Sequence, residues 1–336
     1  MPISGKKVYL NLEERQFYCS DCSRYFYESF SFLDKSAHFT NRYRKHLYNQ
    51  IVQSSINQVI AIEDICWKTA NNLFVKEARK QIAISAKFKT VKYLGIDEFA
   101  LKKGHKDFAT VLVDLQRHCV LEILPYRQKA KLITFFKGKG EQWCSNIAVF
   151  CSDMWDGFIN TAKETFLNAE IIVDRFHFFN QINTALDSQR KALRKSFKDE
   201  QSLKYSKWIL LKNNQNLIHP EKQRLELALN FSQDLKNIYE AKENLRAIFE
   251  QKIEIKEAQK SIENWVEKVS NLNNRYLNRF LKTLNNWKEY VLNYFRTRLT
   301  TSIVEGINNK IKMIKRRAFG FNNFSNFRYR ILAAFE

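Results

Sequence analysis

Three carboxylates stand where their neighbours do not explain them: Asp97 in "YLGIDEFAL", Asp153 in "VFCSDMWDG" and Glu305 in "TSIVEGINNKIKMIK". In the first stretch Asp97 and Glu98 interrupt an apolar strand pattern. Side chains alternate across a strand, so only one of the two shares a face with Gly95 and Phe99. A buried carboxylate without a partner is costly, which leaves a salt bridge, a turn or a metal site as explanations. Asp153 closes an apolar run at its C-terminal end, where α/β folds collect ligand-binding groups. Nearby Asp156 has a local role as the expected N-cap of "GFINTAKETF"; Asp153 has none. Glu305 lies off the centre of a helical stripe of Ile303, Ile307, Ile311 and Ile314. Its helix neighbours Thr301, Ser302, Asn308 and Asn309 are uncharged, so a partner would have to be a more distant base such as Arg298 or Arg316, or another element. Gly306 after it costs about 1 kcal/mol of helix stability relative to Ala. Close approach of another backbone or of a ligand would justify that cost.

Isolated acids on separate elements suggest a divalent-cation site. Hard cations such as Mg²⁺ use one or two carboxylates and take further oxygens from a phosphate substrate. The composition points the same way. Lys and Arg number 56 against 35 Asp and Glu, a formal charge of +21 over 336 residues, which calls for a polyanionic partner, nucleic acid ahead of a membrane surface. A solvated basic surface is the plainer alternative. Positive surface would draw in the polyanion while the acids hold the ions.

The elements that must position these acids are legible in outline. Hydrophobic residues make up 45% and aromatics 14%, enough to bury large cores in more than one domain. Only eight Gly and three Pro predict long helices with short connections. Residues 1–35 read as irregular and carry Cys19 and Cys22, and 40–89 read as helical. "VKYLGIDEFAL" (91–101), "FATVLVDLQ" (108–116) and "HCVLEILPY" (118–126) read as three consecutive antiparallel strands. "NIAVFCSD" (146–153) and "AEIIVDRFH" (169–177) follow as strands between helical patterns, which predicts an α/β layer with a mixed sheet. From about 195 to 295 the period is helical throughout. No apolar run reaches the roughly 18 residues of a membrane span, and the start lacks a signal-peptide pattern, so a cytoplasmic, nucleoid-associated protein is expected. The six cysteines read as reduced thiols.

"GIDEFALKKGH" (95–105), "SDMWDGFINTAKETFLNAEIIVDRFHFFNQINTALDSQR" (152–190) and "VEGINNKIKMIKRRAFGFNNFSNFRYRIL" (304–332) resemble the three signature blocks of the ISL-three family of DDE transposases. The resemblance implies a ribonuclease-H-like fold with Asp97, Asp153 and Glu305 as catalytic, metal-binding triad. Asp174, Arg175 and His177 ("DRFH") match a family motif with a supporting role, although a buried strand-end Asp and a packed His explain them equally well. "SSINQVIAIEDICWKTANNLFVKEAR" (54–79) is similar to the family's helix-turn-helix, whose second helix would offer Trp67, Lys68, Thr69, Asn71 and Asn72 to DNA. The family's four-cysteine zinc ribbon is matched only by Cys19 and Cys22, half a zinc site, so residual zinc binding at that pair is not expected.

The expected division is therefore 1–35, a degenerate or truncated ribbon-like segment; 36–89, the helix-turn-helix region; 90–194, the first part of the catalytic core; 195–295, a helical insertion; and 296–336, the last part of the core. The implied activity is metal-dependent cleavage at the ends of an insertion sequence and transfer of 3′-hydroxyls into target DNA. Two Mg²⁺ about 4 Å apart, with Mn²⁺ as substitute, would serve an in-line displacement. Lys310, Lys312, Lys315, Arg316 and Arg317 would grip phosphates. The expected partners are terminal inverted repeats, target DNA and a second copy of the chain, with no membrane. A catalytically silent DNA-binding regulator and a metal-dependent nuclease stand as alternatives.

Overall fold

Aromatic pairs hold together the first ordered element. The computed structural model describes residues 8–35, 37–86, 90–102, 104, 107–198, 200–300 and 302–335, so parts of the expected N-terminal segments and of "KKGH" lie outside the described residues. Strands β1 (Gln16–Cys19) and β2 (Arg24–Tyr27) form an antiparallel hairpin in which Phe17 faces Phe26 and Tyr18 faces Tyr25. The Phe17 and Phe26 rings stack at 5.5 Å and the two tyrosines meet at 5.0 Å. This corrects the irregular reading of 1–35: cross-strand aromatic pairs supply what a weak strand pattern did not reveal. Helix α1 (Asn41–Gln53) is capped by the Thr40 hydroxyl, and α2 (Ile56–Glu63) opens with a reciprocal Ser55 and Gln58 capping box. Asp64 adopts the left-handed conformation (φ 50°) before α3 (Trp67–Ala86). Leu47, Ile51, Val59, Ala70, Phe74 and Ala78 form the shared core of the three helices.

A second compact unit comprises residues 90–118 and 124–306. Its framework is β3 (Tyr93–Ala100), β4 (Phe108–Asp114), the helices α4 (Lys129–Lys137) and α5 (Glu141–Ser145), β6 (Val149–Ser152), α6 (Asp156–Thr165), β7 (Glu170–Val173) and α7 (Arg175–Ser196); residues 119–123 of β5 (Cys119–Leu124) cluster instead with the first unit. The five strands lie in the order β5-β4-β3-β6-β7. β3 pairs antiparallel with β4, while β6 runs parallel to both β3 and β7, so the sheet is mixed as expected. Two boundaries move. The strand expected over 169–177 stops at Val173, because Asp174 turns the chain into α7, where Phe178, Ile182 and Leu186 bury at helical spacing. Trp155, not Asp156, is the N-cap of α6, and Asp156 becomes its first residue.

The helical segment continues as α8 (Gln201–Lys204), α9 (Lys207–Leu211), a 3₁₀ turn at Asn214–Asn216, α10 (His219–Asn230), α11 (Gln233–Glu250), α12 (Ile255–Ser270), α13 (Arg275–Leu292) and α14 (Tyr294–Thr297). Leu235, Leu245, Phe249, Trp265 and Phe280 pack its interior. Lys242 is fully buried there, with burial lowering its pKa, and donates to the carbonyls of Leu210 (2.7 Å) and Lys212 (3.2 Å). That lysine completes the end of α9, which is a structural task.

The chain ends with α15 (Ser302–Arg317) and α16 (Phe324–Ala334). The boundary between the two units falls inside α15, after Gly306, and residues 307–336 cluster with residues 1–89 and 119–123. Arg330 is buried and donates to the carbonyls of Ile51 and Ser54, which α1 leaves unpaired at its C-terminal end. Arg328 forks onto Glu122 at 2.5 and 2.6 Å. Whereas the sequence groups 296–336 with the core, residues 307–335 thus pack with the N-terminal helices.

Candidate active site

Strand register brings the first two acids together. Gly95 on β3 pairs with Cys151 on β6, and Asp97 and Asp153 each lie two residues further along these parallel neighbours. Adjacent strands run about 4.8 Å apart, so the two residues occupy neighbouring positions, Asp97 within β3 opposite Val111 of β4 and Asp153 just past the end of β6. One Asp97 oxygen accepts the backbone N–H of Glu98 at 2.7 Å. Burial raises the Asp97 pKa first; the Glu98 N–H and His177 oppose this, and the charges of Glu98 and Asp174 add to it. Asp153 is pushed up to about 7, by burial first and by the Asp97 charge second, with His177 and Arg127 pulling the other way. Its Oδ1 is buried and has no hydrogen-bond partner among the described atoms.

Two half-buried, mutually repelling carboxylates, one with a buried and unpartnered oxygen, fit a hard divalent cation, which needs only one or two such ligands when a phosphate supplies more. Among the described residues, no three His, Cys, Asp or Glu side chains lie together in a way that could hold a metal ion. Glu305 is exposed in the first turn of α15. A Cβ built on Gly95 would lie 2.7 Å from Leu115 and 3.4 Å from Val304. The start of α15 therefore covers the same face of β3 that carries Asp97; a side chain at position 95 would crowd Leu115 and meet Val304 at ordinary contact distance. Gly306 differs: it is exposed, and a Cβ there would meet nothing within 4 Å. Among the described residues, the expected close approach of another backbone at Gly306 is not found.

The "DRFH" residues divide. His177 acts electrostatically on both Asp97 and Asp153. Asp174 is buried, and its N–H donates to the Ser152 carbonyl at 2.8 Å. Arg175 instead reaches Tyr294 (3.4 Å) and Glu250 (3.5 Å), at an open cavity of about 600 Å³ lined also by Phe249 and Arg298. Sequence reasoning missed Arg127, whose Nη1 donates to both Glu98 oxygens at 2.7 and 2.8 Å. Its guanidinium sits 4.2 Å from the Phe108 ring centre and 5.4 Å from that of Trp155. Only the Asp97 and Glu98 doublet hinted that one acid needed a basic partner.

In the other unit, α2, the three-residue turn 64–66 and α3 form a helix, turn and helix, with Asp64 taking the left-handed position that a glycine would otherwise fill. Trp67, Lys68 and Asn72 are exposed on α3, whereas Thr69 and Asn71 are half-buried. Thr69 Oγ1 lies 3.0 Å from Cys66 Sγ. On α15, Lys310 donates to the Ala334 carbonyl and Arg317 to that of Gln53, which ties the helix to its own unit. Lys312 and Arg316 are exposed, and Lys315 is half-buried. Cys19 and Cys22 stand at the hairpin turn; the Cys22 backbone N–H lowers the Cys19 pKa.

A family model described as Transposase, of the ISL3 type of DDE enzymes, matches residues 94–331. The transposase for insertion sequence element IS1001 of Bordetella parapertussis is 30% identical over 341 aligned positions, which span 100% of this chain and 83% of the relative. The transposase for insertion sequence element IS1557 of Mycobacterium tuberculosis is 23% identical over 300 positions, spanning 81% of this chain and 66% of the relative.

Proposed function

Because this chain belongs to the ISL3 family of DDE transposases, we propose that Asp97, Asp153 and Glu305 support metal-dependent cleavage at the ends of an insertion sequence and transfer of the freed 3′-hydroxyls into target DNA. The observation that carries this reading is the half-buried pair of Asp97, within β3, and Asp153, just past the end of the neighbouring β6, with a buried Asp153 oxygen that lacks a hydrogen-bond partner among the described atoms. Asp97 and Asp153 would hold Mg²⁺ or Mn²⁺, and Glu305 would join them from the first turn of α15. The bound cation would supply Lewis acidity for phosphoryl oxygens and for an attacking water or hydroxyl. The protein's own groups do the rest: burial keeps the two carboxylates poised for a cation, and His177 tempers their repulsion. Exposed Trp67, Lys68 and Asn72 would contact bases or phosphates of the terminal repeats, and Lys312 and Arg316 would contact phosphates. Two copies of the chain would pair the two ends.

A plasmid carrying the element's inverted repeats tests this. The wild-type chain should cut the ends in Mg²⁺ and yield joined donor and target. Asp97→Asn should bind the same DNA while cleavage falls by about a hundredfold or more. Full cleavage by that variant would sink the assignment. End binding without any cleavage by wild type would support the silent regulator, and cleavage without joined products would support a nuclease.

A further inference from the structure

Glu98 is an acid next to the site that the proposed reaction does not use, and two aromatic rings flank the base that holds it. It follows Asp97 directly, and its charge is among those felt by both Asp97 and Asp153. A mobile third carboxylate at that position would compete with phosphate oxygens for a hard cation. Arg127 engages both of its oxygens through one nitrogen, at 2.7 and 2.8 Å. The guanidinium is flanked by the rings of Phe108 and Trp155. Trp155 is set in turn against the Phe158 ring at 4.6 Å. It also occupies the space beside Gly157, where a Cβ would fall 2.2 Å from the indole. A partly exposed ion pair adds little to the stability of a fold, so stability alone does not account for this much construction. Geometry accounts for it better.

We propose that Arg127 is a positioning residue that holds the Glu98 carboxylate out of the cation site formed by Asp97 and Asp153, with Gly157 and Trp155 fixing the guanidinium. The proposal rests on the metal-dependent reading of that site. It assigns Arg127 no contact with DNA; beside the direct pull of its charge on Asp153, its positioning effect must pass through Glu98.

The test uses the full-length chain as wild type, Arg127→Gln, Arg127→Lys, Glu98→Gln and the double variant Arg127→Gln/Glu98→Gln. Thermal melts confirm folding, Mn²⁺ binding is followed by electron paramagnetic resonance, and single-turnover end cleavage is measured in Mg²⁺. Arg127→Gln should bind Mn²⁺ more tightly, through the released carboxylate, yet cleave about tenfold more slowly or worse. Glu98→Gln should stay close to wild type, the double variant should return to the Glu98→Gln level, and Arg127→Lys should recover part of the rate. A double variant as slow as Arg127→Gln, or Mn²⁺ affinity unchanged by Arg127→Gln, would overturn the proposal. If the wild type itself does not cleave, the transposase reading of the site fails, and the Mn²⁺ comparison still decides the role of Arg127.

Discussion

Burial first, and the neighbouring Asp97 charge second, push the Asp153 carboxyl up to about 7. Its ordinary range lies near 4, so the folded state binds the proton more tightly than the unfolded chain. That preference contributes stability fully below about pH 4 and loses it as the pH climbs through about 7. Asp153→Asn should therefore melt higher than wild type at pH 8, by at least about 2–4 °C. The gain should fade between pH 7 and pH 4, and a melting series over that range checks the sign. Millimolar Mg²⁺ should raise the wild-type Tm at pH 8 and leave Asp97→Asn/Asp153→Asn unmoved. Equal Mg²⁺ responses would mean that the pair is not where the cation binds.

Elements show why some of this was legible in the sequence and some was not. Strands β3, β4 and β6 declared themselves through apolar runs, and the register between β3 and β6 then aligned acids that are 56 positions apart in the chain. The end of β7 was hidden because "VDRFHFF" satisfies a strand pattern as well as a helix start; Asp174 decides between them by turning the backbone. The N-terminal hairpin depends on cross-strand aromatic pairs that no single-strand period displays. Arg127 was invisible because its partners Glu98, Phe108 and Trp155 meet only across the sheet. At Gly306, where close approach of another backbone or of a ligand was expected, no described protein atom approaches the Cβ position within 4 Å. Gly306→Ala should accordingly stabilise α15 by up to about 1 kcal/mol, visible as a higher Tm; a lower Tm would show a contact that the helix geometry does not.

The formal charge of +21 and the division into two units concern the whole molecule. No described helix is long and apolar enough to cross a membrane, and the family places the charge in a DNA-processing protein. Among the bases of α15, two different jobs are expected. Lys312→Ala and Arg316→Ala should each reduce the slope of log affinity against log salt by about 1, with little change in Tm. Lys310→Ala and Arg317→Ala should lower Tm instead, because they release the carbonyls of Ala334 and Gln53. Filter binding across a salt series, paired with melts, separates the two sets.

The central claim, that Asp97 and Asp153 together hold the reactive cation, is tested most directly by exchanging the metal preference of one of them. Asp153→Cys places a soft thiolate where a carboxylate stands. End cleavage by this variant should be lost in Mg²⁺ and recover in Mn²⁺ or Cd²⁺, while the wild type cleaves in Mg²⁺. Wild-type cleavage rates for Asp153→Cys in Mg²⁺ would contradict the account.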